Sequence, residues 1–248
     1  MPATAKVEAS PAPGLRPRGS SVPSFLQQVF VVAHKDLRAE LRTKEAINAS
    51  FAFALVILLL FSFAFDPQSD LTRAISGGLL WIVFAFAGTL ILNRSFAREL
   101  PNDCLDALIA APVSGAALFL GKALANYVLV LAVEMVSLPV FGVFYDVHWT
   151  HQLPQLLMVL LLGTWALTVI GTIFSALTVN IRLREVMLPM LTYPILVPAL
   201  MGAMQLTTDL VTGNSIGPEK MVWLKMLIGF DIIYTAVSLV LIETVLVG

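Results

Sequence analysis

The sequence predicts an all-α membrane protein, with six transmembrane helices preceded by an amphipathic helix on the membrane surface. Three observations predict this. Hydrophobic residues make up 58% of the 248-residue chain and charged residues only 12%, about half of the roughly 25% usual in soluble chains. The apolar residues fall in runs of about 20 or more, long enough to cross a hydrocarbon core of roughly 30 Å. The basic residues are divided unevenly between the segments joining those runs, which sets an orientation. A mean hydropathy of +0.88 excludes a soluble domain. The single Cys104 excludes an intramolecular disulfide and any multi-cysteine metal cluster.

Residues 1–23 hold five prolines among small polar residues, the composition of a disordered tail. No cleavable signal peptide is expected, because the first apolar run follows some 45 polar residues and lacks a short apolar region ending in small residues. Residues 24–45 read as the amphipathic helix. Leu26, Phe30, Ala33, Leu37 and Leu41 recur at helical spacing, Lys35, Asp36, Arg38, Glu40, Arg42 and Lys44 fall largely between them, and Ser24 is the expected N-cap.

Residues 46–248 form the transmembrane unit. The expected spans are Ala46–Phe65, Ala74–Asn93, Ala116–Phe144, Leu153–Val179, Val186–Gln205 and Met221–Val247. No internal repeat is visible. Of the 15 Lys and Arg residues, only Arg73, Lys220 and Lys225 lie on the far side of the spans. Both termini and the loop at 94–115 are therefore expected on the cytoplasmic side.

That loop opens with Arg94–Pro112, where Arg94, Arg98, Glu99, Asp103 and Asp106 put five charges into nineteen positions. Pro101 and Asn102 offer a helix start, the two aspartates suit its N-terminal dipole, and Leu105, Leu108 and Ile109 make an apolar stripe that Pro112 ends. Ser114 and Gly115 then cap the next long helix. A short helix of this kind either floats at the lipid interface or enters a groove on a cytoplasmic partner.

Other candidates lie within or between the spans. Glu134 and Asp231 sit near the centres of theirs, where a charge costs at least about 2.5 kcal/mol. They line a path, relay a proton, or hydrogen-bond between helices. Pro189, Pro194 and Pro198 should kink or break the fifth span, either as a moving element or as static geometry. Thr164, Thr168, Thr172 and Ser175 share one face of the fourth span with Gly171 beside it, a pattern of close helix packing. His148, Trp149 and His151 lie in the short loop Asp146–His151, where they either contact an iron-bearing ligand or a partner or sit as ordinary interfacial residues. No phosphate-binding loop is present: Gly115 opens a run with the wrong spacing and alanine after the lysine. Paired catalytic acids and metal-binding motifs are missing too, and all three histidines lie outside the spans, so no catalytic or metal site of its own is expected.

The run from Leu92 to Lys122, with Asn93–Glu99, Ala110–Pro112 and Leu120–Lys122, resembles type-2 ABC exporter permeases. More narrowly it is similar to the heme exporter protein B family, the cytochrome c maturation permease CcmB. The similarity extends from about Phe25 onward and takes in the proline-rich Leu188–Leu200. The longer proline-rich N-terminus departs from the family pattern, and Leu100–Cys104 lacks a charge expected there.

The resemblance implies the type-2 exporter fold and a transport subunit without its own nucleotide site, with ATP and Mg on a separate CcmA-like ATPase. It makes Arg94–Pro112 a coupling helix, with Leu105, Leu108 and Ile109 in a groove of that ATPase and Arg94, Arg98, Glu99, Asp103 and Asp106 setting register. It further implies two copies of this chain in a bacterial inner membrane, with CcmC-like and CcmD-like membrane subunits and a CcmE-like periplasmic heme chaperone. No nucleic acid is implied as a partner. ATP hydrolysis would serve heme export or release of the loaded chaperone. With no basic residue expected inside a span to pair the heme carboxylates, release is the favoured reading. A type-2 permease for a lipid-linked glycan or a drug, or a non-transporting assembly scaffold, would share much of this pattern.

Overall fold

The computed structural model describes residues 24–66, 69–100, 113–145 and 152–247. Seven long helices follow one another: α1 (Phe25–Thr43), α2 (Glu45–Ala64), α3 (Asp70–Leu92), α4 (Gly115–Phe144), α5 (Leu153–Thr178), α6 (Arg184–Val211) and α7 (Met221–Val247). A one-turn 3-10 helix, Ala97–Glu99, follows α3. The last six long helices are long and apolar enough to cross a membrane, so the protein is an all-α, multi-pass membrane protein. The 30 residues of α4 rise roughly 45 Å, more than the hydrocarbon requires, so this helix tilts or extends into the headgroups.

Local signals set the helix ends. Ser24 caps α1 with a reciprocal pair: its hydroxyl accepts the Gln27 N–H, and the Gln27 side chain accepts the Ser24 N–H at 3.0 Å. Ser69 and Ser114 cap α3 and α4 through their hydroxyls. Ser69 starts the second span four residues ahead of the expected Ala74. Lys44 ends α1 and begins α2 in one left-handed residue (φ 55°), a conformation costing an L-residue roughly 1–2 kcal/mol. The two helices therefore meet at a single-residue hinge.

In lipid, helices associate through close packing and hydrogen bonds rather than through burial from water. The centre of the bundle is α3 and α5, where 72% of each apolar stretch is buried, against 22% in α2. A Cβ on Gly163 of α5 would lie 2.1 Å from the Trp81 ring of α3, so glycine is what lets the indole seat there. Its Nε1–H then donates to Thr207 Oγ1 of α6 at 2.9 Å, tying three helices together. Around them α2 packs on α3, α6 on both α3 and α5, and α7 on α5.

Two expectations are corrected. The fifth span, α6, is neither broken nor limited to Val186–Gln205; it runs unbroken to Val211 through Pro189, Pro194 and Pro198. Pro194 and Pro198 lie on the exposed side of the helix, so the lost N–H groups and ring bulk fall away from the contacts with α3 and α5. The second concerns α1. Leu26, Phe30 and Leu41 of the predicted stripe are exposed, as suits a lipid-facing ridge, whereas Val29, Val32 and Ala33 are buried. α1 packs mainly against α4, where Gly121 allows Val32 so close that an added Cβ would lie 2.6 Å from it.

Candidate functional site

The end of the bundle that carries α1 gathers the charges that the rest of the chain avoids. After α3 the backbone turns through residues 93–96 into the 3-10 helix, which aims Glu99 beneath α1. Glu99 Oε1 lies 2.5 Å from Lys35 Nζ of α1 and 3.0 Å from Lys122 Nζ of α4. Lys122 also reaches Asp36 Oδ2 at 3.1 Å, donates to the Ser95 carbonyl at 2.9 Å, and sits over the Phe96 ring. Its side chain has no exposed surface. A buried ammonium of this kind persists only when paired and hydrogen-bonded, and here two carboxylates, a carbonyl and a ring surround it.

α1 supplies the other wall. Arg98 pairs with Glu40, whose second oxygen accepts the Ile47 N–H at 2.9 Å, and Arg94 pairs with Glu45 at the start of α2. Burial works to lower Lys35, but the carboxylates of Glu99 and Asp36 outweigh it and hold the ammonium above its usual value. Burial lowers the Arg98 guanidinium from its usual value, opposed by Asp36, and arginine remains charged nonetheless. On the far side of residues 101–112, the Ser114 N–H donates to Gln28 Oε1 of α1 at 3.2 Å. The described residues that flank that segment, Glu99 and Ser114, are thus fastened to the same helix.

The cluster continues inward. Asn126 of α4 donates to Ser95 Oγ and Thr172 Oγ1, both at 2.9 Å, and Ser175 donates to the Leu92 carbonyl at 2.8 Å. Deeper still, the Thr164 hydroxyl lies 2.8 and 2.7 Å from the two oxygens of the fully buried Glu134. The hydroxyl face of the fourth span therefore does more than allow close packing: it holds the polar side chains of α4. Close packing occurs beside it, where a Cβ on Gly171 would meet Leu92 at 2.3 Å. Asp231 of α7 is buried, and neither of its carboxylate oxygens has a hydrogen-bond partner among the described residues.

Of the predicted coupling residues, Arg94, Arg98 and Glu99 are brought together here, paired within the chain. Asp103, Leu105, Asp106, Leu108 and Ile109 lie outside the described residues, as do His148, Trp149, His151 and the tail 1–23. Glu134 and Asp231 are separate from the cluster, and Pro189 lies at the edge of a groove beside it. Sequence reasoning missed Lys35, Asp36, Glu40, Lys122 and Asn126 as members of one site. It also expected no buried basic residue in a span, and Lys122, 1% exposed in the second turn of α4, corrects that. The available signal was a lysine and an asparagine four residues apart in the first half of a largely apolar helix, which is costly unless they are paired.

The arrangement holds no nucleophile poised beside a base. What it does is tie the residues flanking 101–112 to α1 and α4, Glu99 through Lys35 and Lys122, and Ser114 through Gln28.

The family model described as "CcmB protein" matches residues 27–244. The chain is 34% identical to Heme exporter protein B of Rhodobacter capsulatus over 172 residues, 69% of this chain and 78% of that protein. It is 32% identical to Heme exporter protein B of Paracoccus denitrificans, over 67% and 76% of the two chains. With Heme exporter protein B of Escherichia coli K12 the identity is 26%, over 68% and 76%.

Proposed function

From the premise that the chain belongs to the CcmB family, we propose that it is the membrane permease subunit of an ABC transporter for heme export in c-type cytochrome biogenesis. Hydrolysis of ATP falls to a separate ATPase subunit. The observation that carries the coupling step is the anchoring on α1 of the described residues that flank 101–112, through Glu99–Lys35 on one side and Ser114–Gln28 on the other.

In this reading the segment holding Asp103, Leu105, Asp106, Leu108 and Ile109 seats in a groove of a CcmA-like ATPase on the cytoplasmic side of the inner membrane. Closure of two ATPase subunits displaces it. The ion pairs pass that displacement to α1 and α4, and the one-residue hinge at Lys44 passes it from α1 to α2. Burial of Lys122 makes the transmission stiff, because separating it from both Glu99 and Asp36 would leave a buried ammonium unpaired. The heme-exporter names of the relatives favour heme over a glycan or a drug as the cargo pathway. Two copies of this chain, CcmC-like and CcmD-like subunits and a CcmE-like chaperone complete the assembly. Its stroke serves heme export or release of the loaded chaperone.

The test compares wild type with Leu105→Asp/Leu108→Asp in a strain lacking its own permease. Membrane insertion, co-purification of the ATPase and mature cytochrome c are measured together. The mutant should insert but lose both the ATPase and cytochrome c. If it keeps both, the coupling role is wrong. A wild-type chain that binds the ATPase and yields no cytochrome c would refute the heme pathway.

A further inference from the structure

Beside the ion-paired junction, a groove of about 750 Å³ opens between α2, the end of α3 and the start of α6. Its rim carries Arg94, Arg98 and Arg184, with Glu45 and Glu185; its floor includes Phe53, Phe86 and Leu90. Arg94 and Arg98 are paired with Glu45 and Glu40. Arg184 has no carboxylate partner within ion-pair distance among the described residues.

That guanidinium, on a rim with three arginines against two glutamates, favours an occupant with an anionic head. Depth narrows the choice. The groove begins at Glu45 and Ala46, directly after α1, whose exposed Leu26, Phe30 and Leu41 place that helix at the headgroup boundary. A groove at that depth, with guanidiniums above and aromatic and aliphatic side chains below, matches a phosphodiester joined to acyl chains. Basic pockets between transmembrane helices are known to hold such headgroups.

We infer that this groove is a binding site for an anionic phospholipid, its phosphate at Arg184 and Arg94 and an acyl chain along Phe53 and Phe86. Through Arg94 and Glu45, the bound lipid would brace the start of α2 against the segment that leads into residues 101–112.

The full chain, purified in detergent, is titrated with dioctanoyl phosphatidylglycerol, dioctanoyl phosphatidylcholine or hemin, and thermal unfolding is followed. Phosphatidylglycerol should raise Tm by roughly 2–4 °C and phosphatidylcholine should not. Arg184→Glu should abolish the shift, whereas Arg38→Glu on α1, outside the groove, should leave it. If Arg184→Glu does not fold, Arg184→Gln and the groove-filling Ala49→Phe take its place, each expected to lose the shift. The inference fails if both lipids act equally, or if the shift survives the groove variants. It also fails if hemin, and not phosphatidylglycerol, gives the Arg184-dependent shift. Cytochrome c yield is not the readout, so failure here leaves the proposed function standing.

Discussion

The Lys122 ammonium, buried in the second turn of α4, lies 3.0 Å from the Glu99 carboxylate at the end of the segment that follows α3. The pair joins the entry to residues 101–112 to the helix that begins just after them. Lys35 on α1 shares the same carboxylate oxygen, so a single acid bridges two helices.

Lys122→Met should destabilise the protein by roughly 1–3 kcal/mol, because it leaves the half-exposed Lys35 to compensate both Glu99 and Asp36. Adding Glu99→Gln should recover part of the loss. A double-mutant cycle on thermal unfolding in detergent measures the coupling; additive effects would mean that the two residues do not interact.

Lys35 sets the pH dependence of the α1 attachment. Its pKa in the folded protein is raised above the ordinary 10.5. Its contribution is therefore fully present below that ordinary value and is lost as pH rises through the folded one. Because the side chain is 47% exposed, solvent screening limits the effect of Lys35→Met to less than about 1 kcal/mol. The stability difference between wild type and Lys35→Met should stay constant through neutral pH and shrink only at strongly alkaline pH. A difference that changes near neutrality would contradict the assignment.

The two acids within the spans should respond in opposite ways. Thr164→Val removes the hydrogen-bonding partner of Glu134 and should cost about 1–3 kcal/mol. Asp231→Leu removes a buried group that has no partner to lose among the described residues, so the variant should be at least as stable as wild type. Thermal unfolding of both variants checks the contrast. If Asp231→Leu is strongly destabilised, the carboxyl has a partner in the assembled complex or in lipid.

Gly163→Ala should disturb the bundle centre, since the new methyl would lie 2.1 Å from the Trp81 ring. Overpacking of this kind costs about 1–3 kcal/mol. Moving the indole would also break its hydrogen bond to Thr207, so altered tryptophan fluorescence should accompany the fall in Tm. Unchanged fluorescence and Tm would show that the ring relaxes freely.

Much of the architecture was legible because it depends on near neighbours. The apolar runs marked all six spans, with most ends within a residue or two, and the Ser24 cap and the period of α1 located the N-terminal helix. α3 starts early because Ser69 caps it, and α6 continues past Gln205 because its last turns pack Leu206 and Leu210 into the core. The candidate site was only half legible. Arg94, Arg98 and Glu99 stood out as charges in an apolar chain, but their partners did not. Glu99 meets Lys35 across 64 positions, and Ser114 meets Gln28 across 86.

By itself, the sequence determined the class of protein, the number of spans, the position of the N-terminal helix and the family resemblance, all of which follow from hydropathy, helical period and local motifs. Only the tertiary structure decided which face of α1 is packed, that Lys122 is buried and neutralised, that the hydroxyls of α5 hold Glu134 and Asn126, and that Glu99 and Ser114 are fastened to one helix. The physical reason is that pairing a buried charge or hydroxyl depends on which helices come within about 3 Å of one another, a property of the assembled bundle that no local stretch of chain encodes.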